Sequence, residues 1–306
     1  MLLEAFCPRW VPRPELRPRL PAGTPVALRL RWLGAAGFVV ETPSTTVLLD
    51  PFVSRPGFAA VASGPLVPEL ESIRRRVPRR IDAVLLGHAH FDHLLDAPLI
   101  AQLTGAKLIG SRAVCNFGRA ALLPEDRLVE IPPHGAALLV GGIEIRFVPS
   151  RHGRLLFGRV PHPGDVLVPP RLPAWWHEYR VGDVFGILLR ARGVSVYHNG
   201  SADLVDEALA GHRADVVLAC LAGRGATPRY AERLLGALQP RVIVPTHYDA
   251  FFFPREDGVR LIPRIDLDGF VAEARRFAPS ASIVAPEFDE VIEIADSGHE
   301  RRATGC

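Results

Sequence analysis

The sequence predicts an α/β chain in four layers (αββα), two β-sheets face to face with helices on both outer faces. Three observations carry that expectation. Short apolar runs punctuated by Gly and Pro alternate with stretches of helical spacing, the alternation occurs in both halves of the chain, and no tandem repeat interrupts it. With 306 residues, 48% of them apolar and 23% charged, the chain can bury a large core, and such folds run past ~250 residues as one unit. The expected division is a proline-rich lead at 1–26, one domain at 27–295 with a loop insertion at about 153–181, and a tail at 296–306.

Taken in order, residues 27–40 (ALRLRWLGAAGFVV) alternate and then turn apolar, and 45–50 (TTVLLD) follow across a Pro-Ser turn; together they read as a β-hairpin. A short apolar run at 81–86 (IDAVLL) reads as a buried strand, and 91–103 carries helical apolar spacing until Gly105 stops it. Further strands are expected at 107–110, 128–130, 137–140 and 143–148. In the second half, strands are expected at 184–189, 194–198, 216–221 and 242–245, with helices at 206–209 and 231–238. Residues 153–181 are rich in Gly, Pro and aromatics without periodicity, which suggests a long ordered loop of the kind that often serves function.

Composition narrows the function classes. A formal charge of +3, from 36 basic and 33 acidic residues, is too small an excess to propose nucleic-acid binding. The basic run Arg74-Arg75-Arg76 fits a solvated helix end. Prolines 8, 12, 14, 18, 21 and 25 interrupt the lead, so it does not read as a signal peptide, and no segment reaches the ~18 apolar residues of a membrane span. Cys7, Cys115, Cys220 and Cys306 are scattered without metal spacing. A reduced, cytoplasmic setting is the expectation.

Chemistry concentrates at Gly87-His88-Ala89-His90-Phe91-Asp92-His93. Three of the 11 histidines fall here with an aspartate. His88 and His90, two apart in extended backbone, project to one side and can grip one ion. Asp92 and His93 enter the first helical turn, where neighbouring side chains diverge by roughly 100°, which suits them to a second ion beside the first. Imidazoles and a carboxylate without cysteine favour zinc, with manganese or iron as alternatives, in an open site that keeps water on the metal. Such water can reach a pKa of ~7, giving a metal-bound hydroxide nucleophile.

This segment, LGHAHFDH, resembles the His-x-His-x-Asp-His signature of metallo-β-lactamase fold hydrolases, and the likeness spans residues 28–292. WLGAAGFVVE and TTVLLDPF look like the first hairpin of that fold. The segment Pro245-Thr246-His247-Tyr248-Asp249-Ala250-Phe251 looks closest to the ascorbate-phosphate-lactonase-like branch. The resemblance implies two divalent ions, with His152 as third ligand of the first and His247 as last ligand of the second. It also implies an aspartate bridge, for which Asp203 is the candidate although Gly200-Ser201 stands where the family has Gly-Asp; Asp203 as a helix cap, with Ser201 in the ligand's place, is the competing reading. The expected metal set is therefore His88, His90, Asp92, His93, His152, Asp203 and His247, with Asp92 and His93 the candidates for a catalytic part. Asp50 stands where the resemblance implies a carboxylate orienting a ligand imidazole, a turn-forming Asp-Pro being the alternative. Ala35 stands where relatives often carry histidine.

The implied activity is hydrolysis of an ester, lactone, amide or phosphodiester. The competing readings are a non-catalytic metal-binding or scaffold protein and a di-iron redox protein. No nucleophile elbow, phosphate loop or cysteine–histidine pair is found. His134, His162, His177, His212 and His299 lack ligand-like partners and read as surface or loop residues. Leu155, Leu156, Phe157, Trp175, Trp176 and Tyr179 in the loop, with Phe251, Phe252 and Phe253 beyond His247, suggest a small-molecule substrate with an apolar moiety; packing of the loop or a homo-oligomer contact is the alternative.

Overall fold

The computed structural model describes residues 6–17, 20–155 and 158–296. Leu156, Phe157, His299 and Cys306 lie outside the described residues, as does the expected tail from 297 onward.

Two mixed sheets of seven strands form the centre. The first runs in the order β14 (Val291–Ala295), β1 (Val26–Gly34), β2 (Gly37–Glu41), β3 (Thr46–Leu49), β4 (Ala83–Leu85), β5 (Lys107–Gly110), β6 (Leu128–Glu130). The second runs β13 (Ser282–Ile283), β12 (Val242–Thr246), β11 (Val216–Cys220), β10 (Val194–Asn199), β9 (Phe185–Ala191), β8 (Ile143–Pro149), β7 (Ala136–Val140). Each sheet is antiparallel through its hairpin-linked strands and parallel beyond, from β3 in the first and from β10 in the second. Parallel neighbours need crossovers, which is why helices enter the sequence where they do.

The period-two geometry of a strand sorts side chains between layers. Phe38 and Val40 on β2, Val47 and Leu49 on β3, and Ala83 and Leu85 on β4 join the core between the sheets. Their neighbours Val39, Leu48 and Val84 turn outward and pack with Ile100 and Phe117 from the helices Ala97–Thr104 and Arg112–Ala120. On the far side, helices Tyr230–Leu238 and Leu267–Phe277 set Leu234, Leu235 and Phe270 against the second sheet.

Three local departures from expectation have plain causes. The stretch read as a hairpin is a three-stranded meander, because Gly34 (φ +97°) and Ala35 (φ +46°) turn the chain inside it. The helix expected over 91–103 is two, Phe91–Leu94 and Ala97–Thr104, with Pro98 in the first turn of the second and Gly105 (φ +72°) closing it. Arg112–Ala120 and Leu267–Phe277 were not expected as helices; Ser111 and Asp266 cap them by accepting from Val114 and Gly269 N–H. The run Arg74-Arg75-Arg76 closes the helix Leu70–Arg76. No helix among the described residues is long and apolar enough to cross a membrane.

Candidate metal centre

The strand ends of both sheets converge on one place. Asp50 follows β3, the segment from Gly87 to His93 follows β4, His152 follows β8 and His247 follows β12. Ligand sites in α/β sheets gather at the carboxyl ends of strands, where the chain leaves the sheet and its side chains converge. Asp50 (φ +39°) and His247 (φ +54°) hold left-handed backbone that costs a non-glycine residue energy and recurs at functional sites. At His247 the strained turn is pinned: its N–H donates to Ala35 O at 2.9 Å, and Ala35 N–H donates to Asp249 Oδ1 at 2.8 Å. Ala35, with no imidazole to offer, serves the site through its backbone.

Six of the seven expected ligands come together as two trios, His88/His90/His152 and Asp92/His93/His247, the ligand atoms within each lying within 4.8 Å of one another. The His88 and His93 rings stand 3.9 Å apart, so the trios adjoin. All of these side chains are buried or nearly so, and burial drives His88 well below the ordinary histidine range while His90 and His152 fall to about 4 and about 3. At neutral pH those rings are uncharged and able to ligate. Burial would raise Asp92, but His93 and His247 beside it outweigh that and keep its carboxyl below the usual range. At His93 the opposite holds: burial lowers it, yet Asp50 and Asp92 together raise it, and a field that draws a proton also draws a cation.

The hydrogen bonds test whether a metal fits. His90 Nε2 lies 2.9 Å from Pro161 O and His152 Nδ1 lies 2.6 Å from Gly153 O. A carbonyl only accepts, so these nitrogens carry the protons, and in a neutral ring the other nitrogen is a bare lone pair. Those other nitrogens, His90 Nδ1 and His152 Nε2, face each other at 3.1 Å. Two lone pairs at that distance repel unless a cation lies between them. His88 has neither ring nitrogen partnered although it is 1% exposed, an expense that a metal ligand explains and a core residue does not.

The family comparison agrees. A model of the beta-lactamase superfamily domain matches residues 29–247. The chain belongs to the metallo-β-lactamase superfamily. A metal-dependent hydrolase of the UPF0173 group from Anaeromyxobacter dehalogenans is 30% identical over 231 residues, covering 72% of this chain and 74% of that one. Another, from Methanopyrus kandleri, is 28% identical over 228 residues, covering 73% and 85%. Among solved structures, the metallo hydrolase Igni18 of Ignicoccus hospitalis aligns with a TM-score of 0.55 at 20% identity over 88% of this chain and 98% of that one, a likeness of fold. The protein is a metal-dependent hydrolase of this superfamily.

Within that frame one expected ligand is corrected. Asp203 is in neither trio: its Oδ1 accepts the N–H of Leu204 at 2.8 Å and lies 3.7 Å from Arg233. Nor does it cap a helix, since Asp206–Leu209 begins beyond it with Val205 at the cap position. Ser201, after Gly200, accepts the Gly153 N–H at 3.0 Å and so steadies the turn carrying His152. Asp203→Asn is therefore expected to leave metal content unchanged and to cost at most about 1 kcal/mol, as for a partly exposed ion pair; elemental analysis and urea denaturation check both.

Asp50 is no mere turn former. It is 0% exposed, accepts the Gly87 N–H through Oδ1 at 2.7 Å, and sets Oδ2 3.0 Å from His93 Nδ1, a close contact misaligned for a hydrogen bond. Burial would raise its pKa, but His93 and His198 hold it below the usual carboxylate range. Spacing assigned no role to two neighbours. His198 contacts Asp50, and His162 on the loop lies 6.4 Å from the His90 ring and 4.5 Å from Trp176. Cys115 and Cys220 are no competing nucleophiles, since burial raises both thiols, Cys115 up to about 12.

Proposed function

We propose that the protein holds two divalent ions, zinc foremost, in its two trios and hydrolyses an ester, lactone, amide or phosphodiester bond of a small substrate, in the cytoplasm. The facing lone pairs of His90 and His152 carry this reading, because a shared cation relieves their repulsion and uses both nitrogens. When bound, such ions acidify water and polarise the scissile group. The chain itself supplies the orientation: Pro161 O and Gly153 O fix which nitrogen of His90 and His152 faces the site, and the Asp50 carboxylate lies against His93 Nδ1. Asp92 contributes the one carboxylate among the six, leaving the site strongly electrophilic once loaded.

An apolar substrate portion fits beside Phe251, whose ring meets His247 at 5.6 Å, Phe52 at 5.8 Å and Phe91 at 6.1 Å. Trp176 has a different role, packing the loop by meeting His162 edge-on, whereas Trp175 is 38% exposed. Loss of a ring-sized apolar contact costs about 1.5–3 kcal/mol. Phe251→Ala is thus expected to lower kcat/KM about tenfold or more for long-chain esters or lactones while sparing short-chain ones; equal losses on both would assign Phe251 to packing.

The function itself is tested by stripping metal with a chelator, reloading with zinc, manganese or iron, and assaying ester, lactone, amide and phosphodiester substrates. Metal-restored hydrolysis of one bond class is the expected result. Two bound ions with no turnover would favour the scaffold reading, and oxygen uptake only with iron and a reductant would favour redox chemistry.

A further inference from the structure

Deep between the sheets, the Asp50 carboxylate is gripped from both sides. His198, on β10 of the second sheet and 0% exposed, places Nε2 2.7 Å from Asp50 Oδ2. That same oxygen is the one 3.0 Å from His93 Nδ1. Two glycines make room: a Cβ at Gly200 would lie 2.5 Å from Asp50 Oδ2 and 3.1 Å from His198 Nε2, and one at Gly87 would lie 3.2 Å from Asp50 Oδ2. The opening is thus fitted to a carboxylate, reached from β3, the strand-to-helix turn and β10 together. His198 also leaves Nδ1 without a partner in a core otherwise built of Val196, Leu218 and Ile187, where an apolar residue would pack at less cost.

We propose that His198 is a positioning residue for the second trio, locking the plane of the Asp50 carboxylate so that it faces His93 Nδ1 and leaves His93 Nε2 directed at the ion. The assignment rests on the two-ion reading above. A carboxylate on the end of a two-torsion side chain is fixed only when both oxygens are held, and here Gly87 N–H holds Oδ1 while His198 Nε2–H holds Oδ2. Without His198, Asp50 Oδ2 loses its hydrogen-bond donor, the carboxylate is held through Oδ1 alone, and the negative charge beside His93 Nδ1 is no longer fixed in place. His198 belongs to neither trio and meets Asp50, so its effect travels through that carboxylate.

Two polar substitutions separate this role from general packing. Glutamine places its amide nitrogen close to where Nε2 of histidine stands, whereas asparagine reaches only the position of Nδ1. Each is introduced into His152→Ala, which leaves the second trio as the intact set, and into His93→Ala, which leaves the first. Zinc affinity is read by competition with a chromophoric chelator, alongside the melting temperature of the metal-free protein. In the His152→Ala background, His198→Asn is expected to weaken zinc 10–100-fold, the usual scale for removing the partner of a ligand. His198→Gln should restore it to within about threefold, and neither should move zinc affinity in the His93→Ala background. Asn and Gln behaving alike, or both trios weakening in step with melting temperature, would overturn the assignment while leaving the two-ion reading standing. Failure of both parent backgrounds to bind zinc would overturn the two-ion reading and this assignment with it.

Discussion

Replacing His88 by leucine is expected to abolish hydrolysis and yet stabilise the metal-free protein. Both ring nitrogens of His88 are buried and unpartnered, so the empty site carries a desolvation penalty of about 1–3 kcal/mol that an apolar side chain of similar volume removes. The same change deletes one of the three nitrogens that would hold the first ion, and activity should fall by more than the roughly 10–100-fold typical of altering only a ligand's partner. Stability thus rises as function disappears, the opposite of what a packing residue shows, where large-to-small changes cost about 2–5 kcal/mol. Urea unfolding of the chelator-treated protein, beside elemental analysis and an assay, reads all three quantities. Retained metal in His88→Leu would remove it from the site.

The second large effect is expected at Asp249. Its Oδ2 pairs with Arg55 at 2.6 Å, the two side chains being 0% and 4% exposed, and its Oδ1 accepts the Ala35 N–H. Arg55 also donates to Phe253 O and Ala250 O and lies over the Phe288 ring at 4.9 Å. Asp249→Ala leaves a buried guanidinium without its counter-charge and should cost about 3–5 kcal/mol, measured by the denaturation midpoint. Removing both charges together, as Arg55→Met with Asp249→Leu, should cost less than the single change, because no uncompensated charge is left behind. Since Ala35 also receives the His247 N–H, the single variant should loosen the second trio as well.

What the sequence disclosed follows from how locally each feature is encoded. His88, His90, Asp92 and His93 stood out because three histidines and an aspartate fall within six residues, and the structure divides them between the two trios. His152 and His247 were reached only through the family resemblance, and the structure brings each into a trio. Asp203 was misread because the direction of a carboxylate depends on its partners, and here Arg233, thirty residues on, and the N–H of Leu204 turn it away. His198 has no periodic signal, since its meaning arises only when β10 is laid across from β3. The layering was plain from strand and helix alternation. The turn at Ala35 was not, because no side-chain pattern announces a left-handed alanine.

Each trio draws ligands from both sheets: His88 and His90 with His152, Asp92 and His93 with His247. Whatever ion fills a trio is consequently a cross-link between halves of the chain that nothing covalent joins there. Binding to the folded state alone adds about 2.7 kcal/mol per site when the free ion stands at a hundred times its dissociation constant. The supply of metal therefore sets how long a molecule survives proteolysis as well as whether it turns over substrate, so that in metal-poor surroundings the protein should vanish rather than persist in an idle form.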